Sequence, residues 1–399
     1  MFNSLQALPP DPILGLTAAF KKDARTTKID LGVGVYKTEA GQTPVMAAVK
    51  AAEQRLFEQE DTKSYIAQVG VEAYNDGIIG LMLGAGHSAV RDGRVRSVMT
   101  PGGTGALRIG AEAIKRMSPE ATVWVGDPTW ANHFPVIQGA GLTTATYPYY
   151  DQTTKSVRID EMLDTLERKA KTGDAVLLHG CCHNPCGADL SLNDWTRIAD
   201  LVVRKGLLPF VDMAYQGFGS GLDEDAAGLR LLADQVPDVL VASSCSKNFG
   251  LYRERTGSIT AIAQSADKAA AAESHFANIA RAIYSMPPAH GGFLAGMVLQ
   301  DSGLRAQWLA ELTEMRDRMN GLRTLLVGKM AEKSPQHDFS FIERQFGMFS
   351  FLGINAEQIA RLRDEFAIYI VGSSRINVAG ISEANINYLT DSLTAVLQS

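Results

Sequence analysis

The sequence predicts an α/β protein: a mainly parallel sheet covered by helices on both faces, with a smaller α/β domain beside it. Three observations carry this. Apolar, β-branched runs at Thr122–Val125, Ala175–His179, Leu208–Val211, Val239–Ala242 and Ser258–Ile262 alternate with helical patterns, as in parallel sheets built from strand–helix units. Chemically capable residues stand at or just past several of their C-terminal ends, where open α/β sheets bind ligands. A chain of 399 residues is also long for one compact core, so a large and a small domain are expected.

Composition narrows the function classes. Hydrophobic residues make up 46% and charged residues 21%, the balance of a globular protein. A net charge of −6, with no block of lysine or arginine, argues against nucleic acid as a partner. No signal peptide and no apolar span long enough for a bilayer is evident, so a cytoplasmic protein without a membrane partner is expected. The four cysteines do not suggest a disulfide framework. Three of them cluster with His179 and His183, but adjacent cysteines on a strand point opposite ways. No second pair completes a tetrahedral set, so no metal is expected and the thiols read as buried and inert.

Taken in order, residues 1–14 are proline-rich and read as an arm lying on another surface, or as a loose tail. Leu14–Lys22 reads as a short amphipathic helix. Ile29–Lys37 is strand-like but carries two glycines, which marks either a bulge or close approach to a ligand; Gly34 is the candidate. A helical pattern covers Pro44–Glu60, and the loop Thr62–Gly70 carries Tyr65. Thr100-Pro-Gly-Gly-Thr-Gly-Ala-Leu-Arg108 then places Gly103 and Thr104 before the helical run Ala106, Leu107, Ile109, Ala113, Ile114 and Met117. Such a turn either binds phosphate at a helix N-terminus or is a tight turn capped by Thr104. It has neither the Walker nor the dinucleotide-binding spacing.

Each following strand delivers a candidate. After Thr122–Val125 comes Asp127-Pro-Thr-Trp-Ala-Asn-His133, whose Trp130 is either core packing or a stacking face for a flat ring. After Ala175–His179 comes Gly180-Cys-Cys-His-Asn-Pro-Cys-Gly187, in which Asn184 is held extended by the next proline. Asp212 closes an apolar strand, a costly place for a carboxylate unless it meets a cation, and Tyr215 follows three residues on.

The stretch Val239-Leu-Val-Ala-Ser-Ser-Cys-Ser-Lys-Asn-Phe-Gly-Leu-Tyr-Arg-Glu-Arg-Thr-Gly257 runs from strand to small hydroxyl residues to one lysine. Partial desolvation there favours the neutral amine of Lys247, a nucleophile toward carbonyls. Ser244, Ser246 and Arg255 can collect an anion. Alone, the segment fits a solvated loop lysine equally well. Phosphate donors, a ring cover, a ring-nitrogen carboxylate and a lysine together are what pyridoxal phosphate requires.

Over nearly its whole length the chain resembles the aspartate and aromatic amino-acid aminotransferases of class I, fold type I. The resemblance rests on the 100–106 glycine run, His179-Gly-Cys-Cys-His-Asn-Pro, Asp212-Met-Ala-Tyr-Gln-Gly-Phe, Ser243-Ser-Cys-Ser-Lys-Asn-Phe-Gly-Leu-Tyr and Ser373-Ser-Arg-Ile-Asn-Val-Ala-Gly380, in family order. It implies a seven-stranded sheet in the large domain. It also implies that Lys247 holds pyridoxal 5'-phosphate as a Schiff base and later moves the substrate's Cα proton. Asp212 would pair with the ring nitrogen, backed by His179; Tyr215 and Asn184 would bind the ring's phenolic oxygen, and Trp130 would cover the ring. Gly103, Thr104, Ser244, Ser246 and Arg255 would hold the phosphate, joined by the partner subunit's Tyr65 in a homodimer.

For substrate, the resemblance implies Arg375 as a fork on the α-carboxylate, helped by Asn184, Trp130 and the backbone at Gly34. Arg281 would reach across the dimer to a distal carboxylate, and Phe349 would wall the pocket. Met286 and Ser64 stand where aspartate-specific members usually carry asparagine, whereas Val35, Lys37, Thr43 and Thr104 match those members. The expectation is therefore ping-pong transamination of both aromatic and dicarboxylic amino acids with 2-oxoglutarate. An aspartate-specific enzyme, another pyridoxal phosphate reaction and a non-catalytic cofactor-binding module are the alternatives. The expected domains are an arm at 1–14, a large domain at 45–311, and a small domain from 15–44 with 312–399.

Overall fold

The computed structural model describes residues 2–8 and 12–398. Met1, Pro9–Asp11 and Ser399, and with them part of the expected arm, lie outside the described residues. The chain divides into two compact units, Pro44–Asp317, and Met1–Thr43 with Arg318–Ser399. The second boundary falls at 317/318 rather than at 311/312, inside the helix Ser302–Lys333, where no sequence break marks it.

The larger unit is built on a seven-stranded sheet: β1 (Val95–Pro101), β2 (Thr122–Asp127), β3 (Thr143–Pro148), β4 (Ala175–His179), β5 (Leu208–Met213), β6 (Val239–Ser244) and β7 (Thr256–Ile262). Their spatial order is β1-β7-β6-β5-β4-β2-β3. β2 pairs in parallel with β3 and β4, and β4, β5 and β6 continue in parallel. Only β7 is reversed, antiparallel to both β6 and β1. The start of β7 therefore lies on the same edge as the ends of all its neighbours.

The sheet is buried on both faces, which is why most of its strands read as continuous apolar runs. Val98, Val123, Val125, Leu177, Phe210, Ala242 and Ile259 pack with Ala106, Ile109, Ala113 and Ile114 of the helix Gly102–Met117. Met117, expected on the same apolar face, is exposed.

Two strands were not evident in the sequence. β1 is interrupted by Arg96, Ser97 and Thr100, and the Ser97 hydroxyl is buried because Thr260 Oγ1 donates to it at 3.0 Å. β3 is the threonine-rich sheet edge, partly open to water.

In the smaller unit, the expected strand at Ile29–Lys37 is only Ile29–Asp30, paired in parallel with Ile368–Tyr369. Beyond Leu31 a side chain replaces the ladder: Asn377 Nδ2 donates to the carbonyls of Val33 and Val35 at 2.6 and 2.7 Å. Phe349–Phe351 pairs antiparallel with Arg375–Asn377. The first helix, expected from Leu14, begins at Pro12 and runs to Lys22. The core joins Leu31, Leu326, Ile342, Leu362, Ile376 and Leu389.

Candidate active site

In the larger unit, most of the candidate residues sit along the sheet edge where β7 begins and the other strands end. The helix Gly102–Met117 starts directly after β1, and no side chain caps it among the described residues. Its first-turn N–H groups are thus available to an anion. Gly103 and Thr104 lie in that turn, so Thr104 is not the helix cap. Gly102 has φ +70, and a Cβ there would stand 2.6 Å from Arg255 Nη2. A Cβ on Gly103 would stand 3.2 Å from the Ser244 Cβ. Glycine here lets the guanidinium and the helix start approach one another. Arg255 is fixed by donating to the Tyr252 carbonyl at 2.9 Å, and Ser244 Oγ donates to Ser246 Oγ at 3.1 Å. Thr104 and Arg255 line a cavity of about 420 Å3 with Pro101, Gly105, Arg108 and Tyr284. This donor set could hold a phosphate.

Lys247 follows β6 and is half-buried. Its Nζ lies 5.7 Å from the Tyr215 ring centre and 5.2 Å from that of Tyr252, which had no assigned role. The next residue anchors it: Asn248 Nδ2 donates to the Gln216 carbonyl at 3.1 Å, and its own carbonyl accepts from Trp308 Nε1 at 2.7 Å. Phe249 stacks on Trp308 with ring centres 4.6 Å apart. A lysine on such a fixed base loses little further freedom when it reacts.

Asp212 is buried near the end of β5, and its Oδ2 lies 3.1 Å from His133 Nε2. The expectation that His179 stands behind Asp212 is corrected. His179 Nε2 is 3.1 Å from Thr129 Oγ1, which is also 2.8 Å from His133 Nδ1. The chain of contacts is thus Asp212, His133, Thr129, His179. Burial and the neighbouring His133 hold His179 down at about 3, so it is neutral. His133 was missed because its partner is 79 residues away; its place three residues after Trp130 was the available signal. Trp130 is half-buried, edge-on to His133 at 5.3 Å.

Asn184 is buried in the loop after β4, and its bond to Pro185 is cis. Asp189 shapes that loop, accepting from the N–H groups of Cys182 and His183 at 2.7 and 2.8 Å. The two adjacent cysteines lie past the end of β4, and Cys182 has φ +52. Their thiols therefore do not point apart: with an Asp225 oxygen, all three atoms lie within 4.8 Å of one another. That carboxylate already accepts N–H groups from Gly217, Gly219 and Ser220 at 2.8 to 2.9 Å. Burial pushes the Cys182 thiol well above its usual range and Cys245 up to about 12.

Two further candidates of this unit are exposed. Tyr65 is 92% exposed on its loop. Arg281 is exposed near the end of the helix Ala266–Ile283 and donates to Ser285 Oγ, beside half-buried Met286. Gly34, Phe349 and Arg375 belong to the smaller unit, where they form a group. The Arg375 guanidinium lies 4.3 Å from the Phe349 ring centre and donates to the Gly32 carbonyl at 2.8 Å. A Cβ on Gly34 would stand 2.9 Å from Phe349 Cζ.

The family model for aminotransferase class I and II matches residues 26–393. The chain belongs to this family. It is 49% identical over 397 residues, the whole of both chains, to an aspartate aminotransferase of Haemophilus influenzae. A solved aromatic-amino-acid aminotransferase from Burkholderia pseudomallei, covalently bound to pyridoxal phosphate, superposes with a TM-score of 0.97 at 42% identity. That match covers 100% of this chain and 99% of the other. A psychrophilic aromatic aminotransferase from Psychrobacter sp. B6, cocrystallised with aspartic acid, gives 0.98 at 38% identity over all of both chains. The fold of this aminotransferase is fold type I, as its sheet and motifs imply.

Proposed function

We propose that this aminotransferase uses pyridoxal 5'-phosphate to transfer the amine of both aromatic and dicarboxylic amino acids to 2-oxoglutarate in a ping-pong cycle, as a cytoplasmic homodimer. The observation that carries the cofactor is the donor set on one sheet edge. An uncapped helix start faces Ser244 and Arg255, and a buried aspartate is braced by His133. Bound pyridoxal phosphate supplies a protonated conjugated ring that takes up electron density from the substrate's Cα and stores the amine between half-reactions.

The residues divide the remaining work. Gly103, Thr104, Ser244, Ser246 and Arg255 hold the phosphate, and Trp130 covers one ring face. Asp212 keeps the ring nitrogen protonated, and His133 fixes the carboxylate that does so. Tyr215 and Asn184 bind the phenolic oxygen. Lys247 would hold the cofactor through its amine and, when that amine is free, would take and return the proton at the substrate's Cα. Arg375 forks onto the α-carboxylate, with Gly34 and Phe349 shaping its surroundings. The homodimer is supported by Tyr65, whose ring stands in solvent, and by Phe2, Leu5 and Leu8, each at least 72% exposed. The partner subunit's Tyr65 is assigned to the phosphate.

Dual specificity rests on Arg281. Its bond to Ser285 is a single hydroxyl contact, and Met286 beside it offers no polar partner. A side chain held so lightly receives a distal carboxylate and also swings aside for a ring. The test is single-turnover loss of the cofactor's absorbance with aspartate and with phenylalanine, on wild type and Arg281→Ala. Both substrates should react, and the variant should lose mainly aspartate. Inert phenylalanine would leave an aspartate enzyme.

A further inference from the structure

Arg323 lies in the helix Ser302–Lys333. Its side chain is fully buried, with 1% exposure. Its two terminal nitrogens spread over one short stretch of chain. Nη1 donates to the Ile342 carbonyl at 3.2 Å and to Ser350 Oγ; Nη2 donates to the carbonyls of Gly347 and Phe349 at 2.8 and 2.9 Å. The guanidinium thus fills the inside of the turn between residues 342 and 350, which reverses at Gly347 with φ +79.

That turn ends in Phe349, and the Phe349 ring lies against the Arg375 guanidinium at 4.3 Å. Arg375 is tied on its other side to the Gly32 carbonyl, and its strand is registered on Phe349–Phe351. A planar fork can grip four oxygens at fixed spacing because its donors are rigidly placed; an ammonium of the same charge cannot span them. Charge-assisted bonds to buried carbonyls are also the strong kind, and losing them leaves acceptors stranded.

We propose that Arg323 is a positioning residue for substrate binding: by clamping the 342–350 turn it sets the Phe349 ring, which holds the Arg375 guanidinium in its carboxylate-binding pose. This rests on the reading of Arg375 as the α-carboxylate ligand. It predicts that Arg323 acts on recognition of the carboxylate and not on the reaction as a whole.

The test uses holoenzyme of wild type, Arg323→Lys, Phe349→Leu and Arg375→Ala. Single-turnover kcat/KM for phenylalanine is divided by that for phenylalaninamide, which keeps the amine and ring but lacks the carboxylate. Calorimetric titration with 3-phenylpropanoate supplies a readout independent of turnover. Arg375→Ala should collapse the ratio. Arg323→Lys should lower it by about 10- to 100-fold, the usual cost of a displaced binding group, weaken 3-phenylpropanoate in step, and leave the amide rate unchanged. A lower melting temperature with an unchanged ratio and unchanged affinity overturns the proposal, since that is what a purely structural arginine gives. If Arg323→Lys does not fold, Phe349→Leu decides: a fall in the ratio supports the linkage, and no fall overturns it. A ratio unchanged in Arg375→Ala overturns the reading of Arg375 itself, and this proposal with it.

Discussion

His179 should make the folded protein sensitive to mild acid. Burial and His133 hold its native value at about 3, against an ordinary 6.5. Between those values the unfolded chain takes up a proton that the native imidazole refuses. The neutral form's contribution is therefore complete above 6.5 and is lost as the pH falls toward 3. At pH 5 the difference is about 2 kcal/mol for this one group, since each unit is worth about 1.4 kcal/mol. Burial holds His183 well below its usual value too, so acid also weakens a variant that lacks His179. The comparison is thus wild type against His179→Asn, which does not titrate and still offers Thr129 an amide. Urea unfolding of both at pH 7 and pH 5 should show wild type losing about 2 kcal/mol more than the variant. Parallel losses would refute the reasoning and place a charged or water-exposed imidazole in the fold.

Other substitutions follow from the site. Lys247→Ala should abolish single-turnover amine transfer, and borohydride should no longer fix the cofactor to the protein, as mass spectrometry would show. Gly102→Ala should weaken cofactor retention, because its Cβ would stand 2.6 Å from the Arg255 guanidinium at a backbone φ of +70. Dialysis followed by absorbance reads this directly, and full retention would count against the proposed phosphate cup. Arg281→Ala should reduce kcat/KM for aspartate by about 10- to 100-fold, the worth of a charged hydrogen bond, with little change for phenylalanine. Equal losses for both substrates would remove Arg281 from the distal-carboxylate role.

What could be read from the sequence followed from where physical constraints are local. Five strands of the main sheet announce themselves because burial on both faces demands apolar residues throughout. β1 did not, because its buried Ser97 hydroxyl finds a partner on β7, and that pairing is invisible until the strands are neighbours. The run 29–37 misled because Asn377, far along the chain, supplies the bonds a strand partner would have made. Candidate residues at strand ends were legible one by one, since each breaks an apolar run with a group that is costly to bury. Residues that act through another were not. His133 and Thr129 gain meaning only from Asp212 and His179, and Arg323 looks like any arginine in a long helix until its four oxygens are seen.

The reversed β7 sets two of the proposed site groups on one segment of chain. Because β6 ends and β7 begins on one edge, a single short connection carries both Lys247 and Arg255, the proposed reactive amine and the proposed phosphate ligand. Arg281 and Met286, proposed to choose the substrate's side chain, belong to a different segment of chain, although Tyr284 between them lines the same cavity as Arg255. The proposed catalyst and the proposed selector are thus carried by separate segments, so a substitution at Arg281 can alter the accepted amino acids while the 245–255 connection stays as it is.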